Sequence, residues 1–161
     1  MIASTTKPYT RTSRSDYSAM FAGAPVTFLA TGEDTDGQFG LIDLVNLAGT
    51  EPPPHRHTAE DECFYVLEGS MTFFVDGQEF PVGQGGWAFV PRNSLHNFRV
   101  DSGTSRTLVF FTPAGFERFF MEMGEPMPAE GTTPTPAGPP DIGHMLATAA
   151  KYNCIFPAPT T

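Results

Sequence analysis

The chain has 161 residues, 40% of them hydrophobic and 15 of them phenylalanine, so it is long enough to bury a core of its own. Its net charge is −9 and it contains no basic run, which argues against DNA or RNA as a partner. No stretch approaches the ~20 apolar residues of a membrane span, and the polar segment Met1 to Met20 lacks a signal-peptide core, so we expect a cytoplasmic protein without a membrane partner.

From residue 25 to residue 112 the sequence consists of short apolar runs separated by Gly, Pro, Asn and Asp, which is typical of β-strands. The predicted strands are Val26 to Ala30, Phe39 to Leu47, Glu62 to Leu67, Met71 to Val75, Gln78 to Val82, Trp87 to Val90, His96 to Val100 and Thr107 to Phe111. Many short antiparallel strands at this spacing favour a sandwich or barrel with an interior cavity over an α/β sheet.

Three turns are marked by their residues. Asp76-Gly77 is typical of a type I′ hairpin, and Glu68-Gly69 predicts a tight reversal between two apolar runs. The segment Pro91 to Ser94 predicts a third turn, because proline presets φ at its start.

After Thr112 the apolar period changes from that of a strand to that of a helix. A first short helix is predicted near Pro113, with an apolar stripe of Phe116, Phe119, Phe120 and Met123 that should pack on the barrel or on a second subunit. A second helix is predicted with Asp141 as N-cap and Asn153 as terminator, and its apolar stripe consists of Ile142, Met145, Leu146 and Ala149. The segment 124–140 between them is rich in Pro, Gly and Thr and should be irregular.

These elements divide the chain into an N-terminal arm (1–24), a barrel (25–112) and a helical and Pro-rich C-terminal extension (113–161). No internal repeat is present, so a single barrel is expected and not a duplicated one. The predicted fold class is all-β, a barrel with short C-terminal helices.

Three histidines and one glutamate are spaced so that they can hold one divalent metal ion. His55 and His57 are two residues apart, and in an extended segment such residues point to the same side. Glu62 begins the next predicted strand and His96 begins a later one, so both can approach the same ion. Such ligands suit Fe(II), Mn(II), Co(II), Ni(II), Cu(II) or Zn(II), and ligand type alone does not choose among them.

The histidines and cysteines also have ordinary structural interpretations. A His-X-His pair alone is more often a solvated surface pair than a metal site. The addition of Glu62 and His96 at these separations favours the metal site. His144, on the second predicted helix, is expected to be an ordinary surface or structural residue. Cys63 and Cys154 form no CxxC pair and are expected to be reduced thiols, with Cys63 packing in the core.

The stretch from Gly49 through His55, His57 and Glu62 to Gly69 resembles the first cupin motif. The stretch from Gly85 through Pro91 to His96 resembles the second motif, although Asn93 stands where the family usually has glycine. Because asparagine tolerates positive φ better than most residues, the turn can survive this change. Val100 stands where the family usually has asparagine, and this change removes a polar group but no ligand.

The resemblance implies a jelly-roll barrel, a double-stranded β-helix, with the metal in its mouth, and commonly a homodimer. The segments Pro113 to Phe120 and Lys151 to Asn153 further resemble small single-domain cupins of the quercetin 2,3-dioxygenase-like group. Cupins also include isomerases, decarboxylases, storage proteins and sensors, so the fold alone does not determine the chemistry.

Strand parity places four apolar side chains on the interior near the metal, and they are the candidate substrate-binding residues: Phe64, Val66, Phe98 and Val100. Such a wall favours a flat hydrophobic ligand over a sugar, although each residue could equally be core. The sequence thus suggests a metal-dependent dioxygenase that uses O₂ and a flavonol-like or other enolisable aromatic substrate, with Glu62 as ligand or catalytic base. A non-catalytic small-molecule binding protein and an isomerase or decarboxylase that needs no O₂ remain alternatives.

Overall fold

The computed structural model describes residues 6–12, 16–128 and 141–157. Within them the elements are β1 (Ser18–Phe21), β2 (Ala24–Ala30), β3 (Gly40–Leu47), β4 (Arg56–His57), β5 (Asp61–Glu68), β6 (Ser70–Val75), β7 (Gln78–Gly83), β8 (Trp87–Val90), β9 (His96–Val100), β10 (Thr104–Thr112), α1 (Glu117–Met123), α2 (Ile142–Lys151) and β11 (Cys154–Ile155). No helix in this part of the chain is long and apolar enough to cross a membrane.

The strands form antiparallel sheets that enclose one core. A six-stranded sheet has the order β1-β2-β3-β10-β5-β8, a three-stranded sheet the order β7-β6-β9, and β11 pairs with β4. Phe64 and Phe111 of the larger sheet and Phe73 and Phe98 of the smaller one belong to the same apolar cluster. The expected all-β jelly-roll barrel is therefore confirmed.

The turn chemistry explains two of the chain reversals. Asp76 and Gly77 have φ values of 48° and 81° and join Val75 to Gln78, as a type I′ turn requires. Asn93 has a φ of 69°, so asparagine does supply the left-handed residue of the Pro91 turn.

The predicted turn at Glu68-Gly69 lies between the apolar strands β5 and β6. Gly69 has a φ of 80°, but β5 and β6 belong to different sheets, so this turn passes the chain from one sheet to the other. A Cβ at Gly69 would lie 2.5 Å from the carbonyl oxygen of Thr104, which leaves no room for a side chain.

Three short strands were not predicted. They are β1, which lies in the segment expected to be an arm, and the two-residue strands β4 and β11, which pair with each other. A two-residue strand such as β4 or β11 shows no periodicity in the sequence, so it can be recognised only from the strand with which it pairs.

Helix α1 packs its phenylalanine stripe on the barrel. Phe116, Phe119 and Phe120 are all buried, and the ring of Phe21 on β1 meets those of Phe119 and Phe120 edge-on at centroid distances of 5.6 and 5.0 Å. This confirms the expected packing and ties the N-terminal strand to the C-terminal helix.

Helix α2 begins as predicted, because Asp141 accepts a hydrogen bond from the backbone N–H of His144 at 3.0 Å. Asn153, with a φ of 61°, turns the chain just after the helix end. The predicted stripe is wrong in part: Ile142 and Leu146 are exposed, and the buried side chains are Thr148 and Ala149. A narrow buried face of small residues lets the helix lie close to its neighbours, which hydropathy alone does not reveal.

The Pro-rich segment is described only up to residue 128, where the backbone is irregular apart from a bridge between Glu125 and Met20. The remainder of the expected irregular segment, 129–140, lies outside the described residues.

We predict that Phe119→Ala lowers the free energy of unfolding by about 3 to 5 kcal/mol, because it empties the space between α1 and β1. Urea denaturation measures this change. Met121→Ala, on the exposed face of the same helix, is the matched control and should change stability little. Equal losses in both variants would contradict the packing assignment.

Candidate metal centre

The structure brings the four predicted ligand residues together. His55, His57, Glu62 and His96 each offer one ligand atom, and these atoms lie within 4.8 Å of one another. They come from separate strands: His57 from β4, Glu62 from β5 and His96 from β9, with His55 just before β4. The exposed fraction of the four residues is between 1% and 6%, so the group lies inside the barrel and not on its surface.

Backbone hydrogen bonds hold the histidine segments in register. The N–H of His55 donates to the carbonyl of His96 at 2.9 Å, and the N–H of His96 donates to the carbonyl of His55 at 2.8 Å. The N–H of Asn93 donates to the carbonyl of His57 at 2.7 Å, which ties the left-handed turn before β9 to β4. The imidazoles are thus positioned by main-chain bonds rather than by a flexible loop.

The side-chain hydrogen bonds determine the tautomers of two imidazoles. Nδ1 of His55 lies 2.9 Å from the carbonyl oxygen of Pro53, and Nδ1 of His96 lies 3.0 Å from that of Ser94. Because a carbonyl only accepts, each Nδ1 must carry the hydrogen and donate. Nε2 of each neutral ring is then an unprotonated nitrogen with a lone pair, as a metal ligand must be.

The donor set fits a divalent cation. Nε2 of His96 lies 3.0 Å from Oε2 of Glu62. Because Nδ1 carries the hydrogen, Nε2 of the neutral ring faces the carboxylate oxygen with a lone pair. Such a contact requires a proton or a cation between the two atoms. Both ring nitrogens of His57 are buried without a hydrogen-bond partner among the described residues, and Nε2 lies 3.5 Å from the same carboxylate oxygen. A bound cation would satisfy Nε2 of His96, Oε2 of Glu62 and Nε2 of His57 at once.

The electrostatics of the cluster favour neutral imidazoles beside an ionised carboxylate. Burial lowers the pKa of His55 to about 4, and neighbouring His96 contributes in the same direction. Burial also lowers the pKa of His57. Burial alone would raise the pKa of Glu62, but the adjacent His57 and His96 outweigh it and lower that pKa.

His96 is the exception among the three imidazoles. Burial disfavours its charged form and is the largest single effect. The hydrogen bond to Glu62, the negative charge of Glu62 and smaller contributions from Ser94 and Asp76 together outweigh it and raise the pKa of His96. A proton on Nε2 of His96 would occupy the place between Nε2 and the carboxylate that a cation would take.

Aromatic rings enclose the imidazoles, and sequence analysis assigned only part of this shell. Phe116 of the α1 stripe meets His57 edge-on at 4.2 Å between centroids, and Phe111 of β10 lies 6.2 Å from the same ring. Phe156, beyond β11, lies 5.3 Å from His55 with its ring tilted by 31°. Nothing in the local sequence of Phe156 signals this contact, because it arises from the pairing of β11 with β4.

A second buried carboxylate, Glu60, was also missed. It is 2% exposed, and its Oε2 has no hydrogen-bond partner among the described residues. Burial raises the pKa of Glu60 to about 7, and the nearby Glu117 and Glu62 add to the effect. A Cβ at Gly115 would approach its Oε1 to 2.5 Å, so the glycine before α1 makes room for this side chain.

The four predicted substrate-binding residues are all buried on the barrel interior, as strand parity requires. Phe64 lies 4.7 Å from Phe73 and 6.1 Å from Phe98 between ring centroids, and Val66 and Val100 belong to the same packed cluster. Their contact with a substrate stays a prediction.

His144 is exposed on α2, away from the cluster, and both cysteines are free and buried, as expected.

A protein-family model described as Cupin domain matches residues 45–112, the stretch that contains all four clustered residues. This chain carries a cupin domain. The model spans the region from the middle of β3 to the end of β10, so the jelly roll and the cluster belong to the same matched unit.

Two relatives of the cupin domain are quercetin 2,3-dioxygenases. The chain is 37% identical over 98 residues to that of Bacillus subtilis, which is 61% of this chain and 29% of the relative. It is 29% identical over 122 residues to that of Aspergillus japonicus, which is 68% of this chain and 33% of the relative. The chain therefore spans about a third of the length of these relatives.

The fold agrees with a solved structure, that of KdgF from Halomonas sp., with a TM-score of 0.60. The superposition covers 70% of this chain and 99% of that one at 17% sequence identity. This likeness concerns the fold alone.

We predict that His57→Ala lowers the affinity for divalent metal by at least about 10- to 100-fold, because it removes a ligand that no nearby side chain replaces. Elemental analysis after dialysis against a chelator measures the retained metal. His144→Ala, on the exposed face of α2, is the control and should retain metal as the unchanged protein does. Equal metal content in both variants would show that the cluster is not the metal site.

Proposed function

We propose that the protein is a metal-dependent dioxygenase that acts on a flavonol-like or other enolisable aromatic substrate. One observation carries the proposal: the buried cluster of three histidines and a glutamate lies within the segment that is related to quercetin 2,3-dioxygenase of Bacillus subtilis. The barrel (25–112) would hold the reacting groups, and the extension (113–161) would close the site around them.

The proposed metal ligands are His55, His57, Glu62 and His96, since their nitrogen and carboxylate atoms converge. When bound, a divalent transition metal would act as a Lewis acid that favours the ionised form of an enolic hydroxyl and would bring O₂ to the substrate. The metal is Fe, Mn, Co, Ni, Cu or Zn, and the donor set suits each of them.

Glu62 is the proposed catalytic base. Its carboxylate is buried, and the adjacent His57 and His96 keep its pKa low in spite of that burial. A base must reach the proton that it removes, and Oε2 of Glu62 lies at the centre of the cluster, where a substrate hydroxyl would be held. Removal of water by the surrounding phenylalanines strengthens each electrostatic contact there.

We predict that Glu62→Gln lowers turnover by about 10²- to 10⁴-fold, the usual contribution of a general base, while part of the metal is retained. Glutamine keeps the shape and one oxygen donor but cannot accept the proton. An oxygen electrode with a flavonol, a catechol and a diketone, each tested with protein loaded with one of the six metals, measures the activity. If none of these substrates is consumed by the unchanged protein, the dioxygenase proposal is withdrawn.

Two other functions use the same site. In a binding protein the metal would only organise a pocket for a small molecule, and in an isomerase or decarboxylase the substrate would change without O₂. Ligand binding without turnover supports the first, and substrate loss without O₂ uptake supports the second. We propose the cytoplasm as the compartment, because both cysteines are free and thiols stay reduced there.

A homodimer is proposed on the aromatic face, which we define as Tyr65, Trp87 and Phe89. These side chains lie on one side of the β5-β8 pair, where Tyr65 is directly opposite Trp87, and their exposed fractions are 39%, 53% and 56%. The three expose on the order of 300 Å² of aromatic surface, and the half-buried Leu108 and Phe110 of β10 extend the same side.

The occupant that fits this face is a second copy of the chain. Two copies with a charge of −9 each repel one another, and the three residues of the aromatic face are uncharged. A two-fold interface uses the same patch twice, and exposed aromatic residues with few charges are the composition found at interface centres. The face and its neighbours on β10 would form the centre of such an interface, whose usual size is ~800 Å² per partner.

We predict that the double substitution Trp87→Lys with Phe89→Lys converts a dimer into a monomer, because it places charges on the aromatic face. Sedimentation equilibrium measures the mass. In the unchanged protein, Trp87 is the single tryptophan of the chain, so its fluorescence should shift on dilution as the dimer dissociates. Ile142→Lys, at a 52% exposed position on α2, is the control and should leave the mass unchanged. A monomer in the unchanged protein would refute the assignment.

A further inference from the structure

The end of the described chain runs directly over the proposed metal centre. In β11, Cys154 pairs with His57 and Ile155 pairs with Arg56. One residue earlier, the carbonyl of Asn153 accepts from the backbone N–H of Thr58 at 2.9 Å. We call residues 153–157 the C-terminal strap.

The strap presents alternate side chains to the centre. The side chain of Cys154 points inward and is 1% exposed, whereas Ile155 is 48% exposed and faces solvent. The ring of Phe156 lies on the imidazole of His55. The Phe156 and His55 rings are 5.3 Å apart with an interplanar angle of 31°, which is close to offset stacking. Phe156 thus occupies the place where a flat ring would rest on a ligand imidazole.

With the strap in place, the four ligand residues are almost closed to solvent. The most exposed of the four ligand residues is only 6% exposed. Two clefts of about 340 and 320 Å³ on the described surface are lined by other residues, among them Arg118 with Tyr152 in one and Tyr9 with Arg11 in the other. A site for a small organic ligand usually needs about 300 to 1,000 Å³ next to the reacting groups.

We propose that the C-terminal strap is a removable cover, and that a planar aromatic ligand binds by taking the place of Phe156 on His55. This inference rests on the proposed function for the choice of an aromatic ligand. The strap itself is assigned from the β4-β11 pairing and the ring contact, which do not depend on the chemistry.

The attachments of the strap allow it to move while the helix before it stays in place. Helix α2 is fixed to α1 because Lys151 and the hydroxyl of Tyr152 both donate to Oε2 of Glu122 at 2.6 Å. Asn153, with a φ of 61°, is the first residue of the strap and directly follows this anchor. Beyond it the paired strand is only two residues long, so few main-chain bonds must break for the cover to open.

The first experiment measures how fast bound metal is lost. The protein is loaded with Zn(II), and its release to excess EDTA is followed. Phe156→Ala should speed release by about three- to tenfold, as expected when one aromatic ring pair is lost. Ile155→Ala, the neighbouring position that faces solvent, should leave the rate unchanged. Equal rates for the unchanged protein and both variants would overturn the proposal.

The second experiment needs no bound metal. Metal-free protein is treated with diethyl pyrocarbonate, and modification of His55 is followed by mass spectrometry, with the exposed His144 as internal reference. Faster modification of His55 in Phe156→Ala than in Ile155→Ala supports the cover, and equal rates overturn it. Phe156→Leu, which retains apolar bulk, should behave like the unchanged protein and excludes loss of folding as the cause.

The third experiment tests the ligand. Association of quercetin with Zn(II)-loaded protein is followed by stopped-flow absorbance, and Phe156→Ala should bind several-fold faster because no ring must leave first. Faster binding without O₂ consumption by any metal form would support the cover and overturn the dioxygenase proposal. Binding that is slower or weaker in Phe156→Ala would make Phe156 part of the binding wall and overturn its role as cover.

Discussion

The burial of three imidazoles and a carboxylate at one point is the constraint on which the rest of the structure depends. An unpaired polar group inside a protein costs roughly 1 to 3 kcal/mol, and an uncompensated charge costs more. The fold meets part of this cost with the Pro53 and Ser94 carbonyls, which bind Nδ1 of His55 and His96. The inward nitrogens and Glu62 are left to a proton or a cation, and a cation held by them would meet the rest of this cost.

The same cluster connects the parts of the barrel. Glu62 belongs to the six-stranded sheet, His96 to the three-stranded sheet and His57 to the two-stranded pair. A metal ion held by all of them would therefore cross-link three sheets, and its binding energy would add to the stability of the fold. The two-way hydrogen bonds between His55 and His96 already join two of these segments, which explains how the ligands can be arranged before a metal binds.

The sequence predicted what depends on local chemistry. Strands with several alternating residues, the Asp76-Gly77 turn, the phenylalanine stripe of α1 and the ligand spacing all carry signals within a few residues of one another. The sequence did not predict β1, β4 or β11, the exposed Ile142 of α2, or the contact of Phe156 with His55. Strands β4 and β11 and the contact of Phe156 come from pairing between segments about 100 residues apart, and no local pattern records such a partner. Strand β1 pairs with the adjacent β2, but its four residues are too few to show a clear alternation.

The jelly roll and the ligand set do not choose the chemistry, because one fold serves many reactions. In this chain Phe111, Phe116 and Phe156 enclose the imidazoles in an apolar environment. A heavily hydroxylated ligand would lose its hydrogen bonds to water there and find few polar partners, whereas a flat aromatic ring would exchange one stacking contact for another. Among the described residues, such an enclosure offers a ligand few polar partners, and this is the physical basis of the proposal that the ligand is aromatic.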